Sequence, residues 1–311
     1  MRRLILTGAC YLDTIISVPY YPTEDTKLRA ASVQVRRGGN CPNTLEVLQQ
    51  LVGAEPDEAV SGSSSGRDVR AYLVSCLPAA DAAATQTILA SLGGPSSPFL
   101  CFDHCLYRDG FQAPASCYIL RSAATGSRTS VNDNRLPEMT ADEFAGVVAA
   151  VGASSDPAWW HFEGRIADVT LACIGHVHQA RQADVVVSVE IENPDRQGLR
   201  ALAAEADVVF YSKLWAQGQG YADAEACLRG EAASLRQASV GAGDTFVAGI
   251  LYRLVCHREE AASEAAGDGL QPATTWNLDD ASVQEALAFA VDLATRKVQM
   301  DGFRGLVAQT S

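Results

Sequence analysis

The sequence contains no Cys-x-x-Cys pair, and its nine cysteines are an odd number scattered through apolar surroundings. That excludes zinc ribbons and thioredoxin-like redox motifs and argues against a disulfide framework, so reduced buried thiols are expected. The one dense group, Cys101-Phe-Asp-His104-Cys105, has a spacing that fits no common zinc pattern, and no metal ligand is assigned. His176-Val-His178 would share a face only in a strand and sits in a helix-like run, so solvated rings are expected. No window approaches about eighteen uninterrupted apolar residues, so no membrane span is expected. Positive charge is also short: 24 Lys and Arg against 37 Asp and Glu leave a net charge of −13. A nucleic-acid partner and an anionic membrane face are thereby disfavoured. Any bound phosphate must be held locally, against the field of the whole chain.

What is present is the composition of a soluble globular protein, 48% apolar and 20% charged over 311 residues. No internal repeat or break in composition divides it, so one domain over residues 1–311 is expected. The opening run Met1-Arg-Arg-Leu-Ile-Leu imitates a secretion signal. It is too short for one, and Asp13 interrupts the chain just beyond it, so a cytoplasmic location is expected.

Leu4–Cys10 reads as a buried strand, with Asp13 where a strand of an open α/β sheet delivers side chains to a ligand crevice. Thr26–Arg37 alternates as a half-exposed strand pair, and Thr44–Leu51 is an apolar-periodic helix with Pro42 near its first turn. Ser61–Gly66 reads as a flexible loop, while Asp68–Leu77 and Ala79–Leu92 read as helices. Ser116–Leu120 and Thr129–Val131 flank a hairpin turn, with Arg128 just past it. From Thr140 the pattern alternates. Helices at Thr140–Val151, Ala167–Gln182, Leu199–Glu205 and Tyr221–Leu235 enclose strands at Trp159–Glu163, Val185–Ile191 and Val208–Tyr211. Asp244–Cys256 and Ser282–Val298 are helices, and Arg258–Asp279 between them reads as a loop insertion. Alternation of this kind predicts an α/β fold, a mostly parallel sheet covered by helices on both faces.

Two stretches carry chemistry. In Val240-Gly241-Ala242-Gly243-Asp244-Thr245-Phe246 a tight glycine turn opens into an apolar helix, whose N–H groups and positive end suit an anion. Asp244 at the lip is either a simple N-cap or a base beside a bound phosphate. In Gly38-Gly39-Asn40-Cys41-Pro42-Asn43 the two asparagines share a face at a helix start. They suit sugar hydroxyls, or Asn40 is a cap and Asn43 merely exposed.

Together these stretches resemble the two signatures of the ribokinase-like (PfkB) carbohydrate kinases, and in particular the branch that phosphorylates ketohexoses. Further segments carrying the resemblance are Tyr21-Pro22-x-Glu24-Asp25, Gly126-Ser-Arg128-Thr129, Leu136-Pro137 and His161-Phe-Glu163-Gly-Arg165. Val187-Ser-Val-Glu190-Ile-Glu192-x-Pro194, Asp207–Lys213, Ser282–Leu287 and Asp301-Gly-Phe303-x-Gly305 complete it. The resemblance implies transfer of the γ-phosphoryl group of ATP to a primary hydroxyl of a sugar such as fructose. It also implies Mg2+ as cofactor, with K+ as the monovalent ion to test for. Asp13, Asp25, Gly39, Asn40 and Asn43 would bind the sugar, and Arg128 would reach the nucleotide phosphates. Gly241, Ala242 and Gly243 would form the anion hole, and Asp244, ionised at its helix N-terminus, would be the base. A small β lid with strands within about 13–37 would clasp a second subunit, giving a homodimer.

Two departures stand out. Ser212-Lys213-Leu214-Trp215 lacks the Asn-x-x-Glu pattern many members carry near the phosphates. More important, only Arg236–Val240 separate Leu235 from Gly241, where the family places roughly thirty more residues, the size of about three strands with turns. The chain is therefore expected to run from a helix straight into the glycine turn, with one nucleotide wall missing. This leaves a second reading, a sugar-binding relative impaired on its nucleotide side.

Overall fold

The computed structural model describes residues 1–54, 68–180, 184–232, 238–240, 243–257, 276, 278–300, 302–303 and 305–306. The chain opens with β1 (Arg2–Thr7), β2 (Tyr11–Val18), β3 (Ser32–Gly38) and α1 (Asn40–Gly53). After it come β4 (Val69–Val74), β5 (Cys76–Pro78), α2 (Ala83–Ser91), β6 (Leu100–Cys101) and β7 (Leu106–Arg108). A hairpin of β8 (Ala115–Ser122) and β9 (Arg128–Asp133) leads to α3 (Ala141–Gly152), β10 (Ala158–Glu163) and α4 (Ala167–Gln179). Next are β11 (Val185–Ile191), α5 (Leu199–Ala204), β12 (Val208–Tyr211), α6 (Lys213–Gly218) and α7 (Ala224–Ala232). The described chain finishes through β13 (Ala238–Val240), α8 (Asp244–Leu251), which runs on as a π turn, and α9 (Asp280–Lys297).

Seven strands form one parallel sheet in the order β13-β12-β11-β10-β1-β4-β6. Its strands are apolar at successive positions because both faces are covered. Leu4 and Leu6 of β1 enter a core with α1, α8 and α9, while Ile5 between them enters a second core with α3, α4 and α5. Trp159 and Trp160 divide between the same two cores. A period of two with both phases apolar is the signature of a buried parallel strand. The helix after β9 starts where its sequence dictates, with Thr140 and Glu143 closing a capping box. On the α1 side, α8 and α9 approach so closely that a Cβ on Gly249 would stand 2.8 Å from the Ala290 Cα. No helix among the described residues is long and apolar enough to cross a membrane.

The second sheet is mixed, in the order β3-β2-β8-β9, with β2 and β8 parallel and the outer pairs antiparallel. Three expectations change here. Thr26–Arg37 is not a strand pair: only Ser32–Gly38 is a strand, and β2 and the 115–133 hairpin supply the rest of the small sheet. Asp68–Leu77 is not a helix but β4 and β5: Val69, Ala71 and Leu73 are buried with Arg70 and Tyr72 half-exposed between them, the period of two of a strand. The chain does not run straight from α7 into the glycine turn. Residues 238–240 pair parallel with β12, Val209 opposite Ala238 and Tyr211 opposite Val240, and cover its edge. The loop expected at Ser61–Gly66 and most of the Arg258–Asp279 insertion lie outside the described residues.

Candidate active site

The site lies at the carboxyl ends of β1, β10 and β11, where the N-termini of α1 and α8 meet them. The chain can enter α1 only through glycine. Gly39 is the N-cap at φ 102°, and a Cβ there would stand 2.1 Å from the Ala9 carbonyl oxygen. No side chain caps this helix, so Asn40 is not the cap. It turns inward, and its Nδ2 donates to Glu190 Oε2 at 2.8 Å. Asn43 lies one turn on. Its Nδ2 donates to Asp244 Oδ2 at 2.7 Å, and its Oδ1 accepts from Arg37 at 2.8 Å. Arg37 is also paired with Glu46, and Thr44 Oγ1 donates to the Asp244 carbonyl at 3.2 Å. The N-cap of α8 is Gly243 at φ 88°, so Asp244 is the first helical residue and not the cap.

Four carboxyl groups share this space. Glu163 and Glu190 are register neighbours on β10 and β11, both buried, and Glu163 accepts the Ala9 N–H at 2.8 Å. Burial pushes Glu163 up to about 7, with the Ala9 N–H and Arg165 opposing and Glu190 adding to the rise. Burial also raises Glu192, against Arg196. Asp244 is pushed up to about 8, first by burial and then by the Glu190 charge, with the Asn43 hydrogen bond opposing and Glu163 and Glu192 adding. The expectation that the helix N-terminus keeps Asp244 ionised is therefore corrected. A helix end favours a nearby anion by at most about 2 kcal/mol, and burial among three other carboxyls outweighs it. Asp13, on β2 beside Gly38, is likewise raised by burial, against Arg37.

Of the residues singled out from sequence, Asp13, Gly39, Asn40, Asn43, Gly243 and Asp244 stand around this crevice. Asp25 lies in an exposed lid turn at φ 59°, and Arg128 is exposed at the start of β9; neither joins the cluster. Gly241 and Ala242 lie outside the described residues. Sequence reasoning misses Arg37, Glu163, Glu190 and Glu192 as site residues. A signal exists for two of them: Glu163 and Glu190 close apolar strands as Asp13 follows one, at the ends where such sheets bind ligands. On the far side of Asp244, a groove of about 510 Å³ runs between the 213–224 segment, Phe246 and α9. Val291 of α9 and Val298, its C-cap, face it and are 56% and 82% exposed.

No protein-family model matches the chain. It is 29% identical to ketohexokinase of Mus musculus over 336 positions, covering 98% of this chain and 99% of that one. Because 336 aligned positions exceed the 311 residues of this chain, the alignment opens gaps in it. A ribokinase from Giardia lamblia superposes with a TM-score of 0.70 at 17% identity, covering 98% of this chain and 95% of that one. A ribokinase from Arabidopsis thaliana, solved in complex with ribose and ATP, gives 0.64 at 15% identity, covering 99% of each chain. A PfkB protein from Polaromonas sp. JS666 gives 0.63 at 15%, covering 98% of this chain and 99% of that one. The sheet and helices have the ribokinase-like fold, and the chain is similar to ketohexokinase along nearly its whole length.

Proposed function

We propose that this chain is an ATP-dependent sugar kinase whose acceptor is a primary hydroxyl of a ketohexose such as fructose, giving fructose 1-phosphate. The observation that carries the reading is the 2.7 Å hydrogen bond from Asn43 to Asp244. It ties the α1 N-terminus, rich in amide donors and acceptors, to an acid at the N-terminus of α8. Sugar hydroxyls meet Asp13, Asn40 and Asn43, with Gly39 letting the backbone come close, and Asp25 reaches the sugar from the lid. Asp244 takes the hydroxyl proton. A carboxyl raised to about 8 is better matched to that task near neutral pH than an ordinary one, since a base works best with its pKa near the working pH. ATP with Mg2+ supplies the phosphoryl group, and positioning with charge neutralisation does most of the remaining work. Gly241, Ala242 and Gly243 with the first N–H groups of α8, and Arg128, would hold the phosphates.

The groove beside α9 fits an adenine by its apolar lining, and it also supports the second reading, impairment on the nucleotide side. Among the described residues only β13 lies between α7 and Gly243, and the groove's walls there are the 213–224 segment and α9, with no strand of the missing segment between them. Burial gives adenine about 25 cal/mol per Å² of apolar surface, so half a pocket forfeits much of it. The lid carries a separate feature. Val35, Tyr118 and Val131 line one row across β3, β2, β8 and β9 through Thr14, and with Val33 they are 46–61% exposed. An apolar sheet face of this kind favours a partner, and a homodimer through the two lids would cover it.

Three outcomes are expected. Asp244→Asn lowers kcat by about 10²–10⁴ with sugar affinity nearly intact, and an unchanged kcat removes Asp244 from its role. Calorimetry with a non-hydrolysed ATP analogue and Mg2+ gives weak or undetectable binding to this chain; micromolar affinity (about −8 kcal/mol) would mean that another element completes the wall. Light scattering at micromolar concentration gives twice the 32.9 kDa chain mass, whereas the chain mass alone would rule out the lid dimer.

A further inference from the structure

Behind the sugar side of the crevice stands a donor set that phosphoryl transfer does not require. The Cys41 sulfur, a His161 ring nitrogen and a Glu190 carboxylate oxygen all lie within 4.8 Å of one another. Cys41 and His161 are fully buried and Glu190 is 7% exposed. We propose that Cys41, His161 and Glu190 bind a thiophilic divalent cation of the zinc class, and that filling this site draws Glu190 off Asn40 and weakens sugar binding. The second half rests on the sugar reading above; the first does not.

The donor chemistry selects the ion. A thiolate, an imidazole and a carboxylate suit zinc, which takes three protein ligands and leaves a fourth position open. The surroundings also fit. His161 Nε2 faces Glu190 Oε1 at 2.9 Å, while Nδ1 meets Ser188 Oγ at 2.9 Å. Ser188 accepts the Trp159 Nε1–H at 2.8 Å and lies 3.5 Å from the Trp160 carbonyl, to which it can donate. It can therefore accept an Nδ1–H as well, which leaves the Nε2 lone pair for a metal, as outer-shell partners do in known sites. Burial holds the Cys41 thiol well above its ordinary range, with the Glu163 main-chain N–H opposing, so the bound ion itself must displace the thiol proton.

Charge points the same way. Glu163, Glu192 and Asp244 crowd Glu190, and a divalent ion with one thiolate and one carboxylate makes a neutral set where the Glu190 charge stood alone. Binding forms bonds from the ion to sulfur, Nε2 and Glu190 Oε2, the oxygen that Asn40 holds in the metal-free chain. The Cys41 thiol proton leaves to water, and the imidazole keeps one proton, on Nδ1. The Asn40 amide loses its acceptor at Glu190 Oε2, and with it the orientation it needs to meet a sugar hydroxyl.

The probe is Co2+ added to the full chain freed of metal with a chelator, with Zn2+ then added as competitor. One equivalent of Co2+ is expected to give a near-ultraviolet sulfur-to-cobalt charge-transfer band that Zn2+ abolishes and that Cys41→Ala lacks. Ser188→Ala, with the ligands intact, is expected to weaken Co2+ by about 10–100-fold. Zn2+ is expected to lower fructose affinity about tenfold in the wild-type chain, as for one lost hydrogen-bond partner, and not in Cys41→Ala. No band at one equivalent, or an equal band in Cys41→Ala, overturns the site. A band with unchanged fructose affinity overturns the coupling. If the metal-free chain binds no fructose, the sugar reading fails, while the cobalt band still decides the metal site.

Discussion

Four carboxyl groups in one partly closed space repel one another, and most of what surrounds them answers that repulsion. Glu163 and Glu190 end neighbouring strands, so the register of the sheet fixes their spacing. Each finds a specific partner: the Ala9 N–H for Glu163, and Asn40 and His161 for Glu190. Asp244 arrives last, at the start of α8, and is held by Asn43 and by the Thr44 hydroxyl on its own carbonyl. Burial together with this crowding raises the Asp244 carboxyl to about 8, and the single amide of Asn43 pulls it the other way. The balance between those terms sets the basicity of the residue assigned to take the proton.

The fold converts a chain order into that geometry. Glu163 and Glu190 come from β10 and β11, Asn40 and Asn43 from α1, and Asp244 from α8, with the bonded pair Asn43 and Asp244 201 residues apart along the chain. Parallel strands all deliver their carboxyl ends to one edge, so side chains from distant segments meet there without any long loop. The close crossing at Gly249 and Ala290 seats α8 against α9 and fixes where Asp244 stands relative to α1.

Much of this is legible in the sequence. The strands Val185–Ile191 and Val208–Tyr211 have the bounds their β-branched runs predict, and the two glycine motifs lead to Asn40, Asn43 and Asp244. Where the reading fails, it does so for physical reasons. Val69–Val74 is only six residues long, so its period of two, buried at Val69, Ala71 and Leu73 and half-exposed at Arg70 and Tyr72, is too short to stand out from a helix. The second pair of lid strands is contributed by a hairpin about eighty residues downstream, a pairing that no local pattern encodes. The protonation of Asp244 escapes the sequence because a helix terminus is visible in one dimension, whereas crowding by Glu190 exists only in three. A five-residue link is visible where a whole wall belongs, but not that three of its residues can still pair as a strand.

Burial and crowding by Glu190 together raise the Asp244 carboxyl, with Asn43 opposing, and its strength as a base turns on this balance. The direct measurement is a carbon-13 NMR titration of the Asp244 carboxyl in the ligand-free chain and in Glu190→Gln and Asn43→Ala. The midpoint is expected near pH 8 in the wild-type chain. Removing the Glu190 charge should lower it, and removing the Asn43 donor should raise it. A wild-type midpoint in the ordinary aspartate range, near about 3.9, or one that neither substitution moves, would contradict the account.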